Sequence, residues 1–569
     1  MDIEKRLTEQ KTARPDRQGR NILFTVYTKP VDPADYPAGL ACSVHFSFQR
    51  PGQAAQPLNR DYGILFARGT VSREDTIVPV GIREPGLFTM EDGWIGICGK
   101  MIREDGKPFA CDEGTLFLWK TRDLIHFEEV APVSEASISG YTVSDTLPVD
   151  PEMAEEAIRW WTPIQQEEVL LPEQITIKSK DELEQIQATV VYSDGSCRTG
   201  KVDWNTDGID FDRSGTCLVE GTIRRQAFPF PLAKGYGDPV VFPWGGKWYF
   251  LGTNDNRDDI GLYVREAEDV EGLFAPDAVE HLILPYDPER GFEQTFWAPE
   301  FHVIGGEAYI LFAVSGHVWG PQCHMMKLKN GGRIVCAEDW EDPVPVVRMD
   351  GTPLSVDGIT LDMTYIRAGS GSYMVWSYRR HIGTPRDTGS MLYIASVSES
   401  EPWRLTGEPV LLSRPLYGWE NVAGTINNEG PYALVRDGKV YLTYSGGSAN
   451  AYTYALGMLT ADGENDLTDP GAWTKSIAPV LTFRSVPGEY GPGHNSFFVN
   501  DQGETMIAYH AETDLHEHLR CDGIRRVHFR KDGTPYFQMS AEEDLCRRKV
   551  HMKIHVSGES YPPADVCLK

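Results

Sequence analysis

Five segments between residues 245 and 510 repeat one pattern, a glycine-containing turn followed by an aromatic-rich apolar run. A turn of this kind before a short apolar run predicts a hairpin whose second strand is buried on both faces. Because each repeat is one supersecondary unit, the repeat constrains the fold more strongly than any single strand does. The segments are GGKWYFLGT (245–253), GGEAYILFAVS (305–315), GSGSYMVWS (369–377), DGKVYLTYS (437–445) and QGETMIAYH (502–510).

One polar residue precedes each of these runs by roughly ten residues, in an otherwise apolar setting. These residues are separated by 62, 62, 67 and 65 positions, which is room for four strands and their loops. Five such units predict a five-bladed β-propeller, whose innermost strands all face the central axis. The polar residues are therefore expected to meet at one site; five unrelated hairpins would not keep so even a spacing. They are Asp238, Glu300, Asp362, Glu429 and His494.

Two strand-rich regions precede the repeats, so we predict an all-β chain. Residues 165–230 alternate with period two between turn signals, which indicates a β-sandwich. Residues 21–135 follow the rhythm of the repeats, since Glu84 stands ten residues before Trp94 as Asp238 does before Trp248. We interpret this region as a partial propeller-like domain, with a diverged β-sandwich as the alternative. The remaining boundaries are a polar tail (1–20), a linker with a short helix within 149–161 (136–164), the propeller (231–545) and a C-terminal strand or tail (546–569).

Charge and segment composition bear on partners and location. The 569 residues carry a formal net charge of −29, which disfavours nucleic acid and anionic membrane surfaces as partners. The N-terminal segment MDIEKRLTEQKTARPDRQGR is polar, and no apolar run is long enough to cross a bilayer. Ten scattered cysteines contain no CxxC pair. These features predict free thiols and a cytoplasmic location.

The segments around the polar residues resemble glycoside hydrolase family 43, the five-bladed propeller arabinofuranosidases, xylosidases and arabinanases. The similarity spans about 300 residues, and its strength lies in the order and spacing of the segments. They are YGDPVVF (236–242), FWAPEFH (296–302), LDMTYIRAGSGSYMVW (361–376), NNEGPYALVRDGKVYLTYS (427–445), YALGMLTADGENDLTDPGAWTKSIAPVL (454–481) and GPGHNSFF (491–498). Residues 165–230 are similar to the bacterial immunoglobulin-like modules found beside carbohydrate-active domains.

The resemblance implies hydrolysis of a glycosidic bond with inversion, which requires two carboxyl groups roughly 6.5 to 9.5 Å apart. By position, Asp238 resembles the general base and Glu429 the general acid. Asp362 resembles the third carboxylate, which tunes and orients the acid. Asp357 competes for this role, but Asp362 has the spacing to the following strand that the family pattern requires.

Substrate-binding residues are also implied by the resemblance. Phe296 and Trp297 are candidates for an apolar wall against a sugar ring, although blade core is an equal alternative. An arginine near the family's site leads to Arg525 and Arg526, and Glu300 is a further candidate. His494 is expected near the axis, where it holds water or a structural calcium ion; no cofactor is required.

The resulting functional hypothesis is an inverting exo-glycoside hydrolase that releases terminal pentosyl residues, above all α-L-arabinofuranose, from plant-wall-derived oligosaccharides. Three alternatives stay open: a β-D-xylosidase, an endo-1,5-α-L-arabinanase and a non-catalytic carbohydrate-binding propeller. A retaining fructosidase is disfavoured because Gly237 precedes Asp238 and no R-D-P triplet occurs. The expected partner is the oligosaccharide, with a homo-oligomer possible.

Overall fold

The computed structural model describes residues 21–34, 36–103, 114–316, 319–369 and 371–558. Strands dominate and the helices are few and short, so the predicted all-β class is confirmed. Contacts divide the chain into two compact units. One contains residues 21–162 and 228–527, and the other contains residues 163–227 together with the segment that begins at His528. None of the helices in the described ranges is long and apolar enough to cross a membrane.

Five antiparallel sheets of the first unit form the predicted five-bladed propeller. The first blade consists of Tyr236–Trp244, Lys247–Asn254, Leu262–Ala267 and Glu280–Leu284, and the second of Gln294–Ile304, Glu307–Gly316, Trp319–Lys327 and Val344–Pro345. The third consists of Gly358–Ala368, Gly371–Arg380, Met391–Ser398 and Glu401–Leu405, with Val410–Ser413 paired to its third strand. The fourth consists of Asn428–Arg436, Lys439–Gly446, Ala455–Asp462 and Thr474–Lys475.

The fifth blade closes the ring with a strand from the start of the propeller. Its strands Tyr490–Val499, Thr505–Glu512 and Cys521–Arg526 are completed by Ala233–Lys234, which pairs with the third of them. In every blade the predicted apolar run forms the second strand, and the predicted polar residue lies on the first. The repeat in the sequence is therefore the blade itself.

Residues 21–162 fold into two further four-stranded sheets, which we call the N-terminal region. In spatial order the first contains Thr146–Val149, Ile22–Tyr27, His45–Gln49 and Gln56–Pro57, and the second contains Val80–Thr89, Ile95–Arg103, Thr115–Thr121 and Glu128–Ser134. A hairpin, Thr70–Val71 with Ile77–Val78, and the helix Ala38–Ala41 complete it. The predicted helix forms as Pro151–Trp161, and Asp150 caps its first amides.

The second sheet of the N-terminal region repeats the local geometry of a propeller blade. Its first strand carries a register shift between Arg83 and Gly86, and Glu84 has a φ of 50°. Asp238 has the same setting in the first blade, with a φ of 57° at a register shift. The spacing that Glu84 shares with Asp238 thus corresponds to a shared blade-like hairpin.

The second unit is built on a six-stranded sheet. Its strands follow the order Gln166–Leu170, Gln187–Tyr192, Cys197–Trp204, Gly215–Ile223, Lys549–Val556 and Gln174–Ile177. The helices Lys180–Glu184 and Ala541–Asp544 and the pair His528–Phe529 with Pro535–Tyr536 accompany this sheet. The division differs from the predicted one, because the chain leaves the propeller near residue 527 and its last strand returns to the earlier sheet. The immunoglobulin-like identity of this unit stays a prediction.

Candidate active site

The innermost strand of each blade departs from regular pairing near its predicted polar residue. Register shifts surround Asp238, Asp362, Glu429 and His494, and two more interrupt the strand that contains Glu300. Asp238, Asp362 and His494 have φ values of 57°, 53° and 43°, a region that side chains other than glycine rarely occupy. A β-bulge re-aims a side chain out of the regular alternation of a strand. These bulges direct the polar residues to one place.

His494 lies close enough to the four carboxyl groups for each of them to act on its charge. Its Nδ1 atom is 3.1 Å from Oδ1 of Asp238. Burial alone would lower the pKa of His494, but the negative charges of Asp238, Asp362, Glu429 and Glu300 raise it. Because all four groups act on one imidazole, the predicted convergence on the propeller axis holds in the structure.

Asp238 is buried and surrounded by donors and positive charge. Thr253 donates to its Oδ2 atom over 2.5 Å, and the Nη1 atom of Arg520 lies 3.1 Å from its Oδ1 atom. Burial would raise the pKa of Asp238, but the positive charges of His494 and Arg520 hold it well below its ordinary value. Asp238 is therefore an ionised acceptor at neutral pH.

Arg520 is the arginine that the structure brings to the site, and the sequence analysis missed it. Its guanidinium bridges Asp238 and Asp255, with Nε 3.0 Å from the Asp255 carboxylate. Arg525 instead pairs with the buried Glu489 and donates to Tyr509 over 2.6 Å. Arg526 donates to the backbone of Val527. Neither predicted arginine contacts the carboxyl cluster through these bonds.

Gly237 is required beside Asp238 because the Arg520 guanidinium packs against it. A methyl group at this position would lie 2.2 Å from the Arg520 Cζ atom. We expect Gly237→Ala to displace Arg520 and to lower kcat/KM by about 10²-fold, the typical cost of misplacing an active-site group by about 1 Å. Gly140→Ala is the matched control, because a methyl group there meets no atom within 4 Å. Equal turnover of the two variants would contradict this prediction.

Glu429 has the opposite electrostatic setting. Burial and the neighbouring Asp362 carboxylate raise the pKa of Glu429 to about 8. Tyr454 donates to its Oε1 atom over 3.0 Å. Asp362 accepts from Ser377 over 3.2 Å and from the Gly430 amide over 3.1 Å. Glu429 is therefore mostly protonated at neutral pH, whereas Asp238 is ionised.

Asp362, and not Asp357, is the third carboxyl group of this cluster. The Asp362 side chain is 3% exposed, and burial together with the Asp238 charge raises its pKa. Asp357 is 47% exposed and accepts a 2.5 Å hydrogen bond from Tyr378. The choice made from strand spacing agrees with the geometry.

Small polar residues at the ends of the second strands hold the inner residues in place. Thr253 and Ser377 donate to the carboxylates of Asp238 and Asp362. Ser445 accepts from the His494 amide over 2.8 Å. Each of the five repeat segments ends in a residue of this kind, a pattern that the sequence analysis did not use. These residues are Thr253, Ser315, Ser377, Ser445 and His510. His510, the last of them, accepts from the Asp238 amide over 3.1 Å.

The predicted aromatic wall separates into one core residue and one residue at the site. Phe296 is fully buried in the core between the first two blades. Trp297 is half-buried, and its indole donates to Asp259 over 2.9 Å. Glu300 is buried and lies 2.7 Å from His302, while burial raises its pKa. Trp297 alone of the two aromatics retains surface for a ligand.

The donors near His494 do not assemble an ion site. Its Nδ1 atom faces Asp238. Across the described ranges, no group of three or more His, Cys, Asp or Glu side chains could hold a metal ion. A calcium ion prefers six to eight oxygen ligands, which these side chains do not supply by themselves, so the calcium ion stays a prediction and no step below depends on one.

Comparisons with known proteins identify a family and several relatives. A sequence profile described as "Glycosyl hydrolases family 43" matches residues 231–535. The extracellular exo-alpha-(1->5)-L-arabinofuranosidase of Streptomyces avermitilis is 33% identical over 346 residues, which cover 59% of this chain and 67% of that protein. The protein of the same name from Streptomyces chartreusis is 35% identical, over 52% of this chain and 85% of its own.

A solved structure is also similar. The alpha-L-arabinofuranosidase from Lactobacillus brevis is 31% identical with a TM-score of 0.48, over 54% of this chain and 95% of its own. The names of both Streptomyces relatives describe extracellular enzymes. They contradict the predicted cytoplasmic location, which is therefore wrong: it depended on a polar N-terminal segment and scattered cysteines, and neither feature determines where a chain is delivered.

Proposed function

Because the chain belongs to glycosyl hydrolases family 43, and is thus a glycoside hydrolase, we propose that it is an inverting exo-acting α-L-arabinofuranosidase. The observation that carries the mechanism is the opposed ionisation of two carboxyl groups around His494. The pKa of Asp238 is held well below its ordinary value, whereas that of Glu429 is raised to about 8. Two carboxyl groups with pKa values driven apart by their surroundings are the mark of an acid and base pair.

In the proposed reaction Asp238 is the general base. Its ionised carboxylate takes a proton from a water molecule as the oxygen attacks the anomeric carbon of the terminal sugar. Arg520 and His494 keep the carboxylate charged, and Thr253 fixes one of its oxygens. The other oxygen, Oδ1, is held by Arg520 and His494, so the base is both ionised and oriented before the substrate arrives.

Glu429 is the general acid of the proposed reaction. It donates its proton to the glycosidic oxygen as the bond to the anomeric carbon breaks. The products are the released sugar and the shortened oligosaccharide, which keeps the oxygen as a hydroxyl group. The Asp362 charge keeps the proton on Glu429 until the leaving oxygen becomes basic. Tyr454 orients the acid through its hydrogen bond to Oε1.

The names of the relatives support the sugar and the mode of attack. Two are named exo-alpha-(1->5)-L-arabinofuranosidases, and a third, from Pyricularia oryzae, is named alpha-L-arabinofuranosidase B and is 30% identical over 54% of this chain. We accordingly propose terminal α-(1→5)-linked arabinofuranose in plant-wall oligosaccharides as the substrate.

Hydrolysis of 4-nitrophenyl α-L-arabinofuranoside and β-D-xyloside, with the products followed by proton NMR, tests the proposal. We expect the arabinofuranoside to be the better substrate and β-L-arabinofuranose to appear first, since water attacks opposite the leaving group. Initial release of the α-anomer would exclude inversion. A faster rate on the xyloside would exclude the proposed sugar.

The same carboxyl groups predict the pH dependence of kcat/KM. Glu429 acts in its protonated form, so activity should fall as pH rises through about 8. Asp238 acts in its ionised form, and its lowered pKa keeps the acidic limb below the ordinary aspartate range. Initial rates on arabinotriose between pH 3 and pH 10 measure the basic limb and should show no loss of activity at the ordinary aspartate pKa. A basic limb at the ordinary glutamate pKa would contradict the assignment of Glu429.

A further inference from the structure

The N-terminal region meets the propeller at the edge that carries the candidate catalytic residues. In an antiparallel blade, the start of the first strand and the end of the second lie at one edge, as the pairing of Asn428 with Gly446 illustrates. The loop that follows Gly446 contains Tyr454, which donates to Glu429. Two positions earlier, Tyr452 donates to the backbone oxygen of Ala34 in the N-terminal region over 3.1 Å.

A second contact joins the N-terminal region to the third blade. Asp75, at the tip of the hairpin Thr70–Val71 with Ile77–Val78, pairs with Arg380 and accepts from Arg414 over 2.5 Å. Arg380 ends the second strand of that blade, the strand whose Ser377 donates to Asp362. This contact therefore also lies at the catalytic edge.

A third contact leads directly to the strand of Glu429. The Gly69 amide donates to the backbone oxygen of Leu416 over 2.7 Å, and the backbones of Arg68 and Tyr417 form an isolated antiparallel β-bridge. The Tyr417 amide in turn donates to the fully buried Glu420. Glu420 also accepts from the side chain of Asn428, the neighbour of Glu429, over 2.8 Å. A chain of short contacts thus links the N-terminal hairpin to the general acid.

Apolar packing makes this junction part of the fold. The N-terminal residues Leu40, Tyr62 and Phe66 share one buried cluster with Trp419 and Leu442 of the propeller. The backbones approach so closely that a methyl group on Gly39 would lie 2.4 Å from the oxygen of Gly418. The N-terminal region is therefore held at a fixed position beside the third and fourth blades.

The junction contains a polar cluster around Tyr36 that the proposed mechanism does not use. The buried Tyr36 hydroxyl has no hydrogen-bond partner among the residues that the structure describes. The Lys29 ammonium lies 5.0 Å from the centre of its ring, and the charges of Arg484 and Asp61 act on its hydroxyl. Lys29 and Asp61 pair with each other and are 19% and 34% exposed, so both can reach a ligand.

Aromatic faces border this cluster. The ring centre of Phe483 lies 5.2 Å from that of Tyr452 and 5.9 Å from that of Tyr62. Phe483 and Tyr452 are half-buried. A few directed polar groups beside aromatic surface are what a binding site for a neutral sugar requires. The cluster adjoins the blade-four loop that carries Tyr454 and hence lies on the acid's side of the site.

We propose that the N-terminal region and the fourth blade together form the subsite for the sugar on the leaving-group side of the scissile bond. The inference rests on the proposed function, because the acid protonates the leaving oxygen and the rest of the oligosaccharide extends from that oxygen. Lys29, Asp61 and Arg484 hydrogen-bond the hydroxyl groups of this sugar, and Phe483 packs against its ring. The Tyr36 hydroxyl supplies a further donor once the sugar is bound.

Tyr36→Phe and Lys29→Gln test this proposal in the full chain, with kcat and KM measured on arabinotriose and on 4-nitrophenyl α-L-arabinofuranoside. We expect each variant to lower kcat/KM on arabinotriose about three- to tenfold relative to the aryl glycoside, the typical effect of one hydrogen bond. The loss should appear mainly in KM. Tyr36→Phe removes a hydroxyl without a described protein partner, so its thermal midpoint should not fall, and a folding defect cannot explain its loss of activity.

Tyr263→Phe and Lys247→Gln, on the third and second strands of the first blade, are the matched controls and should leave the ratio of the two activities unchanged. The inference is overturned if Tyr36→Phe and Lys29→Gln also leave that ratio unchanged, or if the wild-type KM for arabinotriose is no lower than that for the aryl glycoside. A wild-type protein that cleaves no arabinofuranoside would overturn the proposed function instead. The two failures are thus distinguishable.

Discussion

Replacement of Asp238 by asparagine is expected to lower kcat about 10²- to 10⁴-fold, the range attributed to general base catalysis. Asparagine keeps the size of the side chain and its contact with Thr253, but its amide cannot accept a proton from water. Since the change affects the chemical step, KM should change little. The loss should be similar for arabinotriose and for the aryl glycoside, because the attacking water is the same for both.

The variant also removes the negative charge that Arg520 and His494 share. A buried positive charge without its partner destabilises a fold, so the thermal midpoint should fall together with kcat. Asp437→Asn is the matched control, because Asp437 lies exposed at a hairpin tip and its φ of 50° suits asparagine. Turnover of Asp238→Asn within threefold of this control would remove Asp238 from the role of base.

The sequence predicted the propeller and its five central residues because both follow from one period. Each repeat supplies a buried second strand, and a polar residue at a fixed place before it, such as Asp362 or Glu429, must then lie on the innermost strand. Neither conclusion needs knowledge of a loop. The raised pKa of the acid follows from the same convergence, since like charges brought together oppose each other's ionisation. The lowered pKa of the base does not, because it depends on the positive charges of His494 and Arg520.

Arg520 was missed because it stands outside this regularity. It lies just before the strand Cys521–Arg526, in the connection between the second and third strands of the fifth blade, and the sequence of this connection differs from blade to blade. Arg525, within the strand, was favoured by position, but its side chain is directed to Glu489. Its contacts with Gly237, Asp238 and Asp255 distinguish it, and each of them joins residues more than 260 positions apart.

The partner of the last strand and the contacts of the N-terminal region with the propeller escaped sequence analysis for a similar reason. Lys549–Val556 reads as an ordinary alternating strand, and nothing local indicates that Gly215–Ile223 is its partner. The pairing of Asp75 with Arg380 and Arg414 likewise joins charged residues far apart in the chain. Their sequence surroundings do not distinguish them from ordinary surface charges. Contacts of this kind depend on tertiary packing that no local pattern encodes.

Replacement of Glu429 by glutamine is expected to separate two classes of substrate. On arabinotriose the leaving group is arabinobiose, whose departing oxygen must be protonated to become a hydroxyl group. We therefore expect kcat to fall about 10²- to 10⁴-fold. On 2,4-dinitrophenyl α-L-arabinofuranoside the leaving phenolate is stable without a proton, and the loss should be less than tenfold. Asp238→Asn, in contrast, should impair both substrates, since the attacking water needs the base in each case.

The pH profile of Glu429→Gln gives an independent measurement. The wild-type basic limb near pH 8 arises from the Glu429 proton, so it should disappear in the variant while the acidic limb of Asp238 stays. Glu464→Gln, an exposed change in the fourth blade, should keep both limbs and both rates. If Glu429→Gln impairs the two substrates equally and retains the basic limb, another group donates the proton; Asp362, whose pKa is also raised, would then be the acid.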